Sequence, residues 1–345
     1  MKKRIILIIL IVVVAVICVG FAAVMSMGAP LDKKNEQTKL VQIPTGSSTY
    51  DIAYTLQDNE IIDNPKAFRV ISKLTGSDNK YVAGTYELSP SMSMREIQKI
   101  IVSGKSYQNK FTVIPGETVE KIAKKLDESG IVTYDEFMDA EENAEFDYEF
   151  IKPHKNKLYR LEGYLLPETY NFDPGTSAEK VIDTMLDRFN TVIYESIYKK
   201  SSSEMDFEDV LTVASIIQKE AGNEDDMYKV SSVIYNRLDK DMALQMDSIV
   251  SYVLQKDEVN LSNADISIDS AYNPYDNRGL PPGPICSPDV TAVKAAYNPA
   301  DTDYLYFVLS YKLDGTAVFT KDYDKFLKEK EKYYDAYEKA HKDDQ

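Results

Sequence analysis

From Ile5 to Met27 the chain has no charged residue, and only Gly20 and Ser26 interrupt its apolar side chains. Folded as one helix at ~1.5 Å per residue, that stretch is long enough to cross a ~30 Å hydrocarbon layer. A transmembrane anchor over 5–27 is therefore expected. A cleaved signal peptide is the rival reading, because MSMGAP offers a cut after Ala29, but its apolar core normally runs only ~7–15 residues. Lys2, Lys3 and Arg4 precede the span, so residues 1–4 should stay in the cytoplasm and the rest lie outside the cell membrane. Ile17 stands before Cys18 where a lipoprotein cleavage site wants a small residue, so lipidation is not expected.

Such a chain has few options for its chemistry. Beyond the span Cys286 is the only cysteine, so no intrachain disulfide can stabilise the outer part. The 40 Lys and Arg face 56 Asp and Glu, a net charge of −16. Nucleic acid is excluded as a partner, since phosphate binding needs clustered cations. Only two histidines are present, His154 and His341, which removes His-based triads and His-rich metal sites. No metal or cofactor is expected. The 345 residues suffice for two or more domains with their own cores.

A charged spacer over 28–39 leads into a weak internal repeat. IPTGSSTYDIAYTLQDNEII (Ile43 to Ile62) resembles VIPGETVEKIAKKLDESGIV (Val113 to Val132), with Ile52-Ala53 and Leu56 matching Ile122-Ala123 and Leu126. Each copy predicts a short strand, a turn at Gly46 or Gly116, and an amphipathic helix. The first copy continues through AFRVISKL as a second helix, AGTYELSP as a strand and MSMREIQKIIVSGK as a helix stopped at Gly104. This βααβ unit, 40–108, is similar to the LysM module that binds cell-wall glycan; a small α+β domain without a ligand is the alternative. The second copy, within 109–154, shows no clear closing strand.

From 155 to 345 the pattern predicts a mixed α/β domain. Helices are expected near Ala178–Lys199, Asp206–Ala221 and Asp226–Leu238, and SAYNPYDNRGLPPGPICSP reads as a long loop. YLYFVLS and AVFTK suggest paired strands. A charged helix should follow from Lys321, with Tyr323, Phe326, Leu327, Tyr334 and Tyr337 against the body. The fold class is thus α+β: anchor, LysM-like subdomain, then a larger α/β domain.

In DFEDVLTVASIIQKEAG the apolar positions are Val210, Leu211, Val213, Ala214, Ile216 and Ile217, and their spacing continues onto Glu220. A carboxyl there meets apolar neighbours and the negative end of its own helix, with Gly222 as the stop signal. Both effects raise its pKa, as a proton donor near neutral pH requires. The competing reading is a glutamate at a frayed helix end reaching into water. Tyr235, Asn236, Gln245, Asp247, Asn273, Tyr275 and the turn Gly279-Leu280-Pro281-Pro282 supply amides, hydroxyls, aromatic faces and a rigid wall suited to sugar. Any of them could equally be a turn or core residue. Glu162 and Glu168, flanking GYLLP, are further candidate acids, with an ion pair to Arg160 as the alternative for Glu162.

In this order EGYLLPETY, ASIIQKEAG, VIYNRL, MALQMDSIVSYVL, YNPY…GLPPGPI and YLYFVL closely resemble the MltG (YceG-like) endolytic murein transglycosylases, over essentially all of the chain outside the membrane. The resemblance implies a lyase that cleaves the MurNAc-β-1,4-GlcNAc bond of peptidoglycan, with Glu220 as the catalytic acid/base. It leaves Glu162, Tyr235, Asn236, Gln245, Asp247, Asn273, Tyr275 and Gly279 to Pro282 to position substrate. Gln218 replaces a glutamate frequent in the family, Pro274 replaces a threonine, and Ala317 and Phe326 stand where many members have histidines. Implied partners are nascent glycan strands, the membrane, and penicillin-binding proteins or other cell-wall synthases. Two alternatives remain: a non-catalytic wall-binding protein, and a hydrolase that pairs Glu220 with Asp247 or Glu162.

Overall fold

A computed structural model describes residues 10–15, 20, 26–152, 156–201, 205–256 and 261–340. No helix among them is long and apolar enough to cross a membrane. Most of the expected anchor lies outside the described residues, as do His154 and His341. The chain divides into two compact units. The first holds residues up to Asn109 together with Asn171–Gly175, and the second holds Lys110–Tyr170 and everything from Thr176 onward.

The first unit has the βααβ order. Strand β1 (Lys39–Ile43) pairs antiparallel with β2 (Gly84–Leu88), Lys39 opposite Leu88 and Ile43 opposite Gly84. Between them lie α1 (Thr49–Asp58) and α2 (Pro65–Thr75). Ser48 and Asp51 close a capping box on α1, and Asn64 with Pro65 starts α2. Helix α3 (Met94–Ser103) ends on Gly104 in the left-handed conformation, as its sequence predicts. Val41, Ile52, Leu56, Phe68, Ile71, Tyr86 and Ile97 close one core at 0–1% exposure.

The second unit opens on the second copy of the repeat. Strand β3 (Asn109–Thr112) leads to α4 (Val119–Glu128) and α5 (Tyr134–Asn143). Ile122, Ala123 and Leu126 are wholly buried, as are their counterparts Ala53 and Leu56. Thr118 caps α4 as Ser48 caps α1. The copy does have a closing strand: β4 (Thr169–Phe172) pairs with β3, with the Thr112 and Thr169 hydroxyls 2.9 Å apart and the Val113 N–H donating to the Glu168 carbonyl. The segment that carries Glu162 is thus inserted between the last helix and last strand of the repeat. This explains why no closing strand is visible next to α5.

Helix α6 (Ala178–Phe189) continues through a π turn (Asn190–Tyr194) and a 3-10 turn (Tyr198–Lys200). Next come α7 (Phe207–Glu220), α8 (Glu224–Asp239), α9 (Asp247–Leu254) and α10 (Val290–Tyr297). Helix α7 is buried on every side from Val210 to Ile217, which makes it the central element of the unit. Phe207 fixes its start in an aromatic cluster with Phe150, Phe189 and Tyr194 at centroid distances of 6.3, 6.0 and 5.1 Å. The hairpin of β5 (Tyr306–Leu309) and β6 (Ala317–Thr320) pairs antiparallel as expected. The final helix α11 (Tyr323–Ala340) is less engaged than its aromatic residues suggest. Phe326 stacks on Tyr306 at 5.5 Å, but Tyr323, Leu327 and Tyr334 remain 54, 44 and 47% exposed.

Candidate active site

Glu220 is the last residue of α7 and is half-buried. The helix stops because Ala221 turns extended, not because Gly222 adopts a left-handed conformation. Gly222 is needed for a different reason: a Cβ there would lie 2.4 Å from the carbonyl oxygen of Gly315 in the β5–β6 turn. A Gly222→Ala substitution should therefore displace that turn and cost ~1–3 kcal/mol, measurable by thermal unfolding. The same turn lines a cleft of about 600 Å³ that begins at Gly222, with Asn223, Asp226, Lys229 and Thr316 in its walls.

The carboxyl of Glu220 faces the N-terminus of α9, which has no side-chain cap. Its pKa is raised. Burial is the main cause and the charge of Asp247 adds to it, while the Ser248 hydroxyl and backbone N–H and the charge of Lys219 pull the other way. The Ser248 hydroxyl is enclosed and has no hydrogen bond of full geometry among the described residues, so it is free to turn toward this carboxyl. The setting suits a group that must be neutral and then charged. Burial favours the acid, and two donors at a helix N-terminus receive the carboxylate once the proton has left.

Two expected partners reach this point. Asp247 begins α9, and the Tyr275 hydroxyl donates a short hydrogen bond to its carboxylate. Tyr275 in turn is raised by burial, by Asp247 and by the charge of Glu220. Gln245 is exposed with a positive φ of 49°, and its N–H donates to the Pro274 carbonyl, so it joins the α9 approach to the Tyr275 loop through its backbone.

Other expected site residues have structural duties. The Asn236 amide donates to the carbonyls of Thr302 and Tyr304 at 2.9 and 3.0 Å, and the Tyr235 hydroxyl to that of Ala296 at 2.9 Å. Asn273 is fully buried. It donates to the Ile266 and Ile268 carbonyls and accepts the Tyr275 N–H, so it shapes the loop that presents Tyr275 instead of meeting a ligand itself. Glu162 is also fully buried: both carboxyl oxygens accept the Val119 N–H, at 3.2 and 3.3 Å, at the start of α4. It cannot touch substrate there. Arg160 does not pair with it either, because its guanidinium binds the carbonyls of Glu141 and Ala144. Glu168 forms a two-point ion pair with Arg188 at 2.6 and 2.9 Å, which explains that acid structurally.

The Gly279-Leu280-Pro281-Pro282 turn leads into a segment stitched to α7. Ile285 N–H donates to the Ser215 hydroxyl at 3.0 Å, and the Asp289 N–H to Gln218 Oε1 at 3.0 Å. The carboxylate of a glutamate would accept that N–H equally well, so Gln218 keeps this function. Gly163 admits the segment from its other side: with φ +88°, it leaves no room for a Cβ, which would sit 2.6 Å from Pro284.

Arg237, absent from the expected set, lies close to it. It is 8% exposed, grips the carbonyls of Leu305, Ala243 and Leu244 just ahead of α9, and lies 5.3 Å over the Tyr306 ring. Burial lowers its pKa, and the nearby charges of Tyr306, Tyr275 and Glu220 oppose that shift. Its signal was in the sequence. Val230, Val233, Ile234 and Arg237 continue one buried stripe, by the same spacing that singles out Glu220.

The central helix thus ends in a half-buried acid that faces the start of α9, where Tyr275 holds Asp247. The sequence profile of the YceG-like family matches residues 41–332, and the chain belongs to that family. It is 37% identical to the endolytic murein transglycosylase of Bacillus subtilis over 89% of this chain and 88% of that protein. It is 31% identical to the endolytic murein transglycosylase of Streptococcus pneumoniae over 84% of this chain, which spans 57% of that longer protein. The crystal structure of a yceG-like protein from Listeria monocytogenes superposes with a TM-score of 0.58 at 34% identity, covering 85% of this chain and 99% of the other.

Proposed function

We propose that this protein is an endolytic murein transglycosylase, a lyase of peptidoglycan strands, with Glu220 as its one acid/base. The observation that carries the reading is the place of that carboxyl: half-buried at the end of the central helix and facing the uncapped N-terminus of α9 with Asp247 and Ser248. Protonated Glu220 gives its proton to the glycosidic oxygen as the C1–O bond of N-acetylmuramic acid breaks. The muramyl C6 hydroxyl then attacks C1, and its proton returns to Glu220. A 1,6-anhydro end forms and no water is consumed. One carboxyl suffices because the sugar supplies its own nucleophile, whereas a glycosidase needs two at a set spacing.

Asp247 gives the hydrolase reading its foothold, since its charge reaches Glu220. Its carboxylate is however engaged by Tyr275. On the present reading Asp247 tunes the acid and Tyr275 flanks the sugar, with Gln245 and the 279–282 turn as outer walls. The first step needs the proton on Glu220, so kcat/KM should fall as pH rises through the raised pKa of that group. Asp247→Asn removes a charge that holds the pKa up, so this alkaline fall should move to lower pH; a pH–rate profile checks it. The apolar run at 5–27 supports a single-pass anchor with the N-terminus in the cytoplasm, placing the site beside emerging strands and their synthases. The βααβ unit would then help to hold the glycan, as LysM-like modules do.

A further inference from the structure

We propose that Glu162 is a positioning residue: through Tyr252 and Tyr272 its buried carboxyl fixes the two elements that present Asp247, Ser248 and Tyr275 to Glu220. This rests on the reading of Glu220 as the acid. Tyr252 lies on α9, one turn beyond Ser248, and Tyr272 lies three residues before Tyr275. Their rings pack at a centroid distance of 5.5 Å, at 5 and 2% exposure. Both hydroxyls are enclosed and neither has a hydrogen bond of full geometry among the described residues. The Glu162 carboxyl meets the Tyr252 hydroxyl, while the Tyr272 hydroxyl turns to the Leu158 backbone and Tyr272 follows through its ring contact with Tyr252. On its other side the carboxyl takes the Val119 and Gly163 N–H groups. One buried group therefore ties α4 and the turn at Gly163 to the backs of both walls around the acid.

Such a group earns its burial through the Tyr252 hydroxyl, because an enclosed polar group without a partner is costly. The remaining titratable groups that feel Glu162 are Glu141 from α5, Lys157 and Tyr159 from the preceding segment, and Cys286. None of these lies on α9 or in the Tyr275 loop, so the two tyrosines are the route to the acid. Removing the carboxyl frees both walls, admits water to Glu220 and takes away part of the burial that raises its pKa.

The test is the pH–rate profile of the full-length protein on purified peptidoglycan strands, with circular dichroism to confirm folding. In Glu162→Ala we expect kcat to fall about tenfold, the scale of small misplacements at a catalytic centre. The alkaline midpoint should shift to lower pH. Glu162→Gln, which keeps the shape, one donor and one acceptor, should restore the wild-type midpoint. If Glu162→Ala does not fold, Tyr252→Phe carries the same test and should move the midpoint in the same direction. A folded Glu162→Ala with an unmoved midpoint overturns the proposal, and so does a Gln variant that behaves like the Ala variant. Glu220→Gln run alongside separates the two claims: full activity there overturns the acid assignment, whatever Glu162 does.

Discussion

Replacing Glu220 by Gln should leave the fold intact and lower the rate of strand cleavage by about 10²–10⁴-fold, the range that general acid catalysis supplies. The amide keeps the size of the carboxyl and can still meet Ser248, but it has no proton to give the leaving oxygen and cannot take one back from the muramyl hydroxyl. Both chemical steps fail together, so kcat and kcat/KM should fall in parallel while KM changes little. Asp247→Asn should be far milder, because Asp247 acts on Glu220 only through its charge. Comparable losses in the two variants would point to a pair of carboxylates and hence to a hydrolase.

The second large effect concerns stability. Glu162 has its pKa raised from 4.5 to about 8, by burial first, with Glu141 adding and the Val119 N–H, Tyr252 and the Gly163 N–H opposing. The folded protein therefore holds this proton more tightly than the unfolded chain does. The sign follows: between about 4.5 and about 8 the folded state binds more protons, so stability falls as pH rises through that window. Glu162→Gln has no charge to bury. It should match the wild type at the acid end and exceed it at the alkaline end, by on the order of 4 kcal/mol for a shift of this size. Denaturant titrations at the two ends check this, and equal differences at both would show that Glu162 does not titrate in the folded protein. The comparison belongs below pH 8, because Lys157, lowered to about 8 by burial, begins to titrate there with the opposite sign.

The two variants also show what was readable in the chain and what was not. The spacing along α7 pointed to Glu220 but left a frayed helix end as its alternative, and only the resemblance gave that carboxyl a role; in the fold it is half-buried at the last turn of the helix. Arg237 obeys the same spacing on α8. The first βααβ unit was legible through its caps and its left-handed Gly104, which are local signals. Strand β4 was not, because its pairing with β3 is made across a long insertion and Pro167 stands just ahead of it like a turn signal. Asn236 and Asn273 looked like sugar ligands for a similar reason. An amide that suits a hydroxyl suits a carbonyl equally, and the carbonyls they bind come from chain segments whose proximity no local pattern announces. Gly222 had a real constraint behind it, the close carbonyl of Gly315, where the pattern suggested a helix stop. Glu162 shows the limit most clearly: a fully buried acid and a ligand-facing acid are written with the same letter.

The central claim is that the sugar, not water, completes the reaction that Glu220 begins. The most direct measurement is a digestion of purified peptidoglycan strands by the full-length protein in water enriched in heavy oxygen, followed by mass spectrometry of the fragments. The expected fragments carry 1,6-anhydromuramyl ends, one water lighter than reducing ends, with no heavy oxygen incorporated. Reducing ends that carry the heavy label would contradict the claim and require a second carboxylate, with Asp247 first in line.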